Sequence, residues 1–201
     1  MAPSTPLVDP REYFDRWDRP SLGFATGIVF VEAVLTAVLL WVFLQRVIVH
    51  VDAPSEETSG LQGTVALMAV GVFVAIFLGW ALAAAILHVF VWLAGGSRGF
   101  GTTLAVAGES ELATVILLPL TGVGLVSLLG QAPADPAAFT DFFERVTSFS
   151  SPLLLTSTLL STLWKAAIQG YGLADAHDLP LEKMLLVAFG VGLFGWLLNL
   201  L

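Results

Sequence analysis

Apolar residues gather along this chain in blocks of about twenty, not in alternating or one-sided helical stripes, the pattern of helices with lipid on all sides. Such blocks run over about 22–49, 63–94, 112–130, 149–168 and 184–201. The first, Leu22 to Val49, spans once and is broken by Glu32 and, near its end, by Gln45 and Arg46. The second, Gly63 to Ala94, holds no Asp, Glu, Lys or Arg. As a helix it measures about 48 Å against a hydrocarbon core of about 30 Å. Two crossings and a turn do not fit in that length, so one long tilted helix is expected. Within it Gly71, Ala75, Gly79 and Ala83 recur every four positions and make a smooth ridge. Small side chains let another helix backbone approach closely in lipid, which predicts a packing face and a central place for this helix in the bundle.

Shorter elements surround these blocks. Asp9-Pro10-Arg11-Glu12 reads as an N-cap, a proline at the first helical position and a capping-box Glu, followed by Tyr13, Phe14 and Trp17 on one side. A short helix lying in the interface and ending near Pro20 is expected, and the polar, acidic leader argues against a cleavable signal. After the turn Gly95-Gly96-Ser97-Arg98-Gly99, a small segment to Gly108 leads into the third block, where Pro119 predicts a kink. Between Pro136 and Phe149, the residues Phe139, Phe142, Phe143 and Val146 oppose Asp141, Glu144 and Arg145, as in a surface helix. The fold class read from this pattern is an all-α integral membrane protein: a bundle of five transmembrane helices over residues 22–201, preceded by a cytoplasmic N-terminal segment, residues 1–21, with its interfacial helix. No internal repeat is evident, which weakens an inverted-repeat transporter.

Composition sharpens this picture. With 57% hydrophobic and 12% charged residues, against roughly 45–50% and about 25% in ordinary soluble domains, a soluble globule is ruled out. The net charge of -8 and the lack of any basic run exclude nucleic acid as a partner. The absence of Cys excludes disulfides and thiolate metal sites. The usual nucleophile, zinc and nucleotide motifs are missing, so no enzyme activity and no cofactor are expected. The acidic balance, with six Arg and two Lys, suits a salt-adapted cytosol such as that of a halophile.

The candidate functional side chains are Glu32, His88, Glu109, Glu111 and Lys165. Glu32 lies ten residues into a helix that starts near Leu22, so it sits about 15 Å deep. A carboxylate there is costly. It reads either as a proton or cation relay, or as a hydrogen-bonded Glu that fixes packing against Ser or Thr of the fourth block; packing is the simpler reading. His88 near the inner end of the second helix and Glu109 and Glu111 at the start of the third are placed to meet at the cytoplasmic face. Their spacing matches no ligand pattern, and acids at a helix N-terminus are favoured by the macrodipole. Lys165 is expected to snorkel to the inner interface. Asp175, His177 and Asp178 read as a solvated turn. The fourth block is rich in hydroxyls, among them Ser157, Thr158, Ser161 and Thr162, which line a polar path or, more simply, bond their own helix or a neighbour.

Four stretches, in this order and spacing, carry a family likeness. They are Asp9 to Phe14; His88 with Trp92 and Gly95-Gly96; Gly99-Phe100-Gly101-Thr102-Thr103-Leu104; and Trp164 to Leu173, ending in Gly-Tyr-Gly-Leu, followed by His177 and Leu179-Pro180-Leu181-Glu182-Lys183. Together they resemble the Yip1 family of five-pass membrane proteins, and the composition points to a prokaryotic, haloarchaeal member. The resemblance implies a non-enzymatic protein that associates with the lipid bilayer and with other membrane proteins or itself, acting in membrane organisation or trafficking. The short N-terminal extension and Gly108-Glu109-Ser110-Glu111 at the third helix depart from the family pattern, so a GTPase-contacting role is not carried over. The competing class is a carrier or channel for a small solute or ion, with Glu32 and the hydroxyl-rich fourth helix along its path. A weaker third is an intramembrane enzyme using Glu109, Glu111 and His88.

An inward N-terminus places Arg11, Arg16, Arg19, Arg98, Lys165 and Lys183 on the cytoplasmic side and leaves Arg46 and Arg145 outside. A location in the cell membrane, N-terminus inside and C-terminus outside, is therefore predicted. A reporter fused after Leu201 should be active only outside the cytoplasm, and neutralising Arg11, Arg16 and Arg19 together should give mixed orientation.

Overall fold

The computed structural model describes residues 5–16, 20–50, 55–131 and 151–198. Among these the chain forms α1 (Pro10–Phe14), α2 (Leu22–His50), α3 (Ser55–Leu93), α4 (Phe100–Ser110), α5 (Leu112–Leu129), α6 (Pro152–His177) and α7 (Leu181–Leu198), with no strand. The surface helix expected between Pro136 and Phe149 lies outside the described residues.

The long apolar blocks become single helices. Among the described residues four stretches are long and apolar enough to cross a membrane: Leu22–Val49, Gln62–Leu93, Phe100–Leu129 and Leu181–Leu198. The second block is uninterrupted, as its length requires, and ends at Gly95, whose φ of 92° suits a residue without a side chain. Gly96 N–H returns to Val91 C=O at 2.9 Å and closes the helix. The third helical stretch begins at Phe100 and not Leu112. Only Glu111 interrupts it, and α5 continues through Pro119. α6 has 26 residues, about 39 Å, enough to cross, but it is more polar than the other four. It runs antiparallel to α5 and α7 and packs between them.

Two apolar clusters hold the bundle. One gathers Phe14, Val29, Trp80, Leu87, Val106, Ile168, Leu173 and Met184; the other gathers Phe43, Leu44, Val47, Val65, Leu128 and Leu154. Along α2, Glu32 falls between Val29 of the first and Phe43 of the second. Close helix approach at the first cluster depends on Gly108. A Cβ there would lie 2.8 Å from Ala25 Cβ and 3.0 Å from Trp80 Nε1. α2, α3 and α4 meet at this point.

The N-terminal helix forms as its capping residues direct, with Asp9 Oδ1 accepting from Glu12 N–H at 2.9 Å. Its aromatic residues, however, do not lie on a surface: Tyr13 and Phe14 are 4% and 1% exposed. Phe14 packs against Gly172 of α6, and Trp164 Nε1–H donates to Leu7 C=O at 3.1 Å. Burying two rings inside the protein leaves more apolar area covered than a shallow interfacial position does.

The glycine and alanine ridge of α3 is not used within this chain. Within this chain Gly71, Ala75 and Gly79 face outward and Ala83 is half-buried, and nothing comes within 4 Å of where a Cβ on Gly71 or Gly79 would stand. The buried face is Trp80, Ala84, Leu87 and Val91. Trp80 decides this orientation, because its indole N–H needs an acceptor in an apolar setting and finds Leu104 C=O at 3.0 Å. The docking of α1 is open to a direct check: Phe14→Ala should lower unfolding stability in detergent by about 3 kcal/mol, while Val8→Ala, at an exposed site, should change it by less than about 0.5 kcal/mol.

Candidate functional site

Polar residues on α6 stand four apart at Ser157, Ser161, Lys165 and Gln169, with His177 two such steps further, so they form one stripe along the helix. Opposite them α4 and α5 present Thr103, Ser110, Glu111, Thr114 and Thr121. Because the helices run antiparallel, the two stripes pair rung by rung. Thr121 lies 3.4 Å from Ser157, Thr114 3.0 Å from Ser161, and Ser110 3.0 Å from Gln169. Thr103 lies 3.0 Å from His177. At the central rung Lys165 Nζ donates to both oxygens of Glu111, at 2.7 and 2.8 Å.

The donors and acceptors fit together with direction. Thr114 donates to Glu111 Oε2 at 3.1 Å and so accepts from Ser161. Ser110 donates to Ala107 C=O at 2.6 Å and accepts from the Gln169 amide. Where a hydroxyl has no cross-helix work it bonds its own helix, as Thr156 does to Pro152 C=O at 2.8 Å.

Glu32 enters this seam from α2. It is 7% exposed and in contact with Glu111, with Lys165 beyond. Lys165 therefore does not snorkel to the interface. A carboxylate within reach of its ammonium offers a charge-assisted, two-oxygen bond, and the chain turns inward to take it. Nor do His88, Glu109 and Glu111 converge. His88 Nδ1 lies 2.9 Å from Thr103 Oγ1, which it shares with His177. Glu109 accepts Ser21 N–H at 3.0 Å and meets Tyr13, so it anchors the start of α2 and the N-terminal helix. Burial, with Glu109 beside it, raises the Tyr13 phenol above its ordinary range, which keeps it a hydrogen-bond donor.

Asp175, His177 and Asp178 are not a common solvated turn, because α6 continues through His177, which is 2% exposed. There, past the apolar part of α6, burial together with His88 and Arg98 pushes the imidazole down to about 4, so it is neutral at pH 7. The left-handed Asp178, at φ 53°, then ends the helix. Thr103 and Gln169, 0% and 5% exposed, were not recognised from sequence. The signal that reveals Gln169 is its place in the four-residue stripe; Thr103 carries no comparable mark. Among the described residues no group of three His, Asp or Glu side chains converges to hold a metal ion.

A family model, the Yip1 domain, matches residues 6–199, nearly the whole chain. No match was found among curated proteins or among solved structures.

The central rung makes a testable demand. Removing one partner of a buried ion pair leaves the other charge uncompensated, whereas removing both does not. Lys165→Met, which leaves Glu111 without its ammonium, should cost about 3 kcal/mol of unfolding stability, and adding Glu111→Gln to it should recover most of that loss in a denaturant series in detergent.

Proposed function

We propose, from the premise that this chain belongs to the Yip1 family, that it is a non-enzymatic scaffold of the membrane that binds other helices through the outer face of α3. The observation that carries the reading is the ridge of Gly71, Ala75 and Gly79. It faces away from the chain's own bundle and leads into a cleft of about 980 Å³ between α3, α6 and α7, whose far wall carries Gly190 and Gly195. In lipid an exposed apolar side chain gains nothing by leaving one hydrocarbon for another, but a glycine ridge gains dispersion and backbone contacts when a second helix lies against it. A surface built of such residues and unused within the chain fits a partner helix, from another membrane protein or a second copy.

The carrier reading draws less support. The hydroxyls that would line a path, Thr114, Thr121, Ser157 and Ser161, are paired across the seam, and Lys165 is bonded to both oxygens of Glu111. The reading keeps the N-terminus on the cytoplasmic side, in line with the basic residues near it.

The scaffold reading is tested by gentle extraction and quantitative co-purification. Gly79→Leu should reduce the recovery of associated membrane protein at least tenfold while leaving the thermal stability of the isolated chain unchanged, and Val74→Leu should leave both unchanged. Association that survives Gly79→Leu overturns the assignment of the ridge.

A further inference from the structure

Glu32 of α2 and Glu111, at the break between α4 and α5, bring their carboxyl groups into hydrogen-bonding contact. Glu111 is already well supplied with donors, taking Lys165 on both oxygens and Thr114 on Oε2. Two ionised carboxylates have only lone pairs to offer, so a hydrogen bond between them requires a hydrogen that neither owns. The other oxygen, Glu32 Oε2, is buried and meets no hydrogen-bond partner.

An ionised Glu32 would place part of its charge on that unpartnered oxygen, beside the charge of Glu111, with one ammonium for two carboxylates. A proton on Glu32 Oε1 removes each of these costs. The new hydroxyl donates to Glu111, Oε2 becomes a neutral carbonyl oxygen, and the group of three side chains sums to zero charge.

We infer that Glu32 and Glu111 form a binding site for one exchangeable proton, closed by Lys165, at the junction of α2, α5 and α6. The groups around it are accounted for from every side. α5 brings Thr114 and α6 brings Lys165, with Ser161 bonded to Thr114. On α4, Glu109 is turned toward Ser21 and Tyr13, away from Glu111, and its own Oε2 is buried without a partner. α3 has no Asp, Glu, Lys or Arg from Gln62 to Leu93, and its His88 is bonded to Thr103. The proton is thus the link that lets α2 join the seam between α5 and α6; without it two like charges face each other across that contact.

Infrared spectroscopy of the purified protein in lipid nanodiscs reads this proton directly. At pH 7 the difference spectrum of wild type minus Glu32→Gln should show one carboxylic acid carbonyl band that shifts in deuterated water. The same band should vanish in Glu111→Gln, where the remaining Glu32 pairs with Lys165 and ionises, and should survive in Glu109→Gln. Raising the pH of the wild type should remove it as a single-proton step. A difference spectrum that shows only a lost carboxylate stretch overturns the inference, as does a band that disappears with Glu109→Gln in place of Glu32→Gln. Should Glu32→Gln fail to fold, Glu111→Gln decides by the same band.

Discussion

The contact between Lys165 and Glu111 sets the register on which the rest of the bundle depends. Glu111 occupies the one-residue break between α4 and α5, and the ammonium of Lys165 reaches both of its oxygens. Once these two residues face each other across antiparallel helices, the helical repeat fixes what lies above and below. Four residues along α6 in one direction Ser161 meets Thr114, and in the other Gln169 meets Ser110. Apolar helices in lipid slide past one another at little cost, because every register buries similar surface. A charged pair with one geometry removes that freedom, at the price of requiring partners for most of the polar groups brought in with it.

That requirement explains features which otherwise look unrelated. Glu109, next to the seam, is covered by the Ser21 amide and by Tyr13, and so draws the N-terminal helix into the protein. Phe14 follows Tyr13 and fills the space left by Gly172, beside Val106. The histidines His88 and His177 share a single hydroxyl at Thr103, which has one hydrogen to give, so at least one of the two bonds is donated by a ring N–H. The polar seam and the docking of the short helix are therefore one construction.

The interior and the outer face differ in what they present. Inside, polar side chains pair with each other and fix the helices. Outside, α3 and α7 present glycines to a cleft that Thr162, Lys165 and Gln169 of α6 also line. In this member of the Yip1 family the polar seam thus lies inside, while the glycine ridge of α3 faces outward.

The sequence by itself settled the helical class, the membrane setting, the single long α3, the capped start of α1 and the turn at Gly95-Gly96. Each of these depends on local composition or backbone chemistry: twenty apolar residues in a row, an Asp before a Pro, a glycine where φ is positive. It did not reveal which face of α3 packs inward, because lipid and a neighbouring helix are both apolar and leave the same mark on sequence. Gly71, Ala75 and Gly79 promised contact by their size, and Trp80 took the interior because of the N–H it had to satisfy. Nor did the chain disclose where Lys165 points. Glu111 lies 54 residues away along the chain, and only the antiparallel docking of α6 onto the α4–α5 break places a carboxylate within reach of its ammonium.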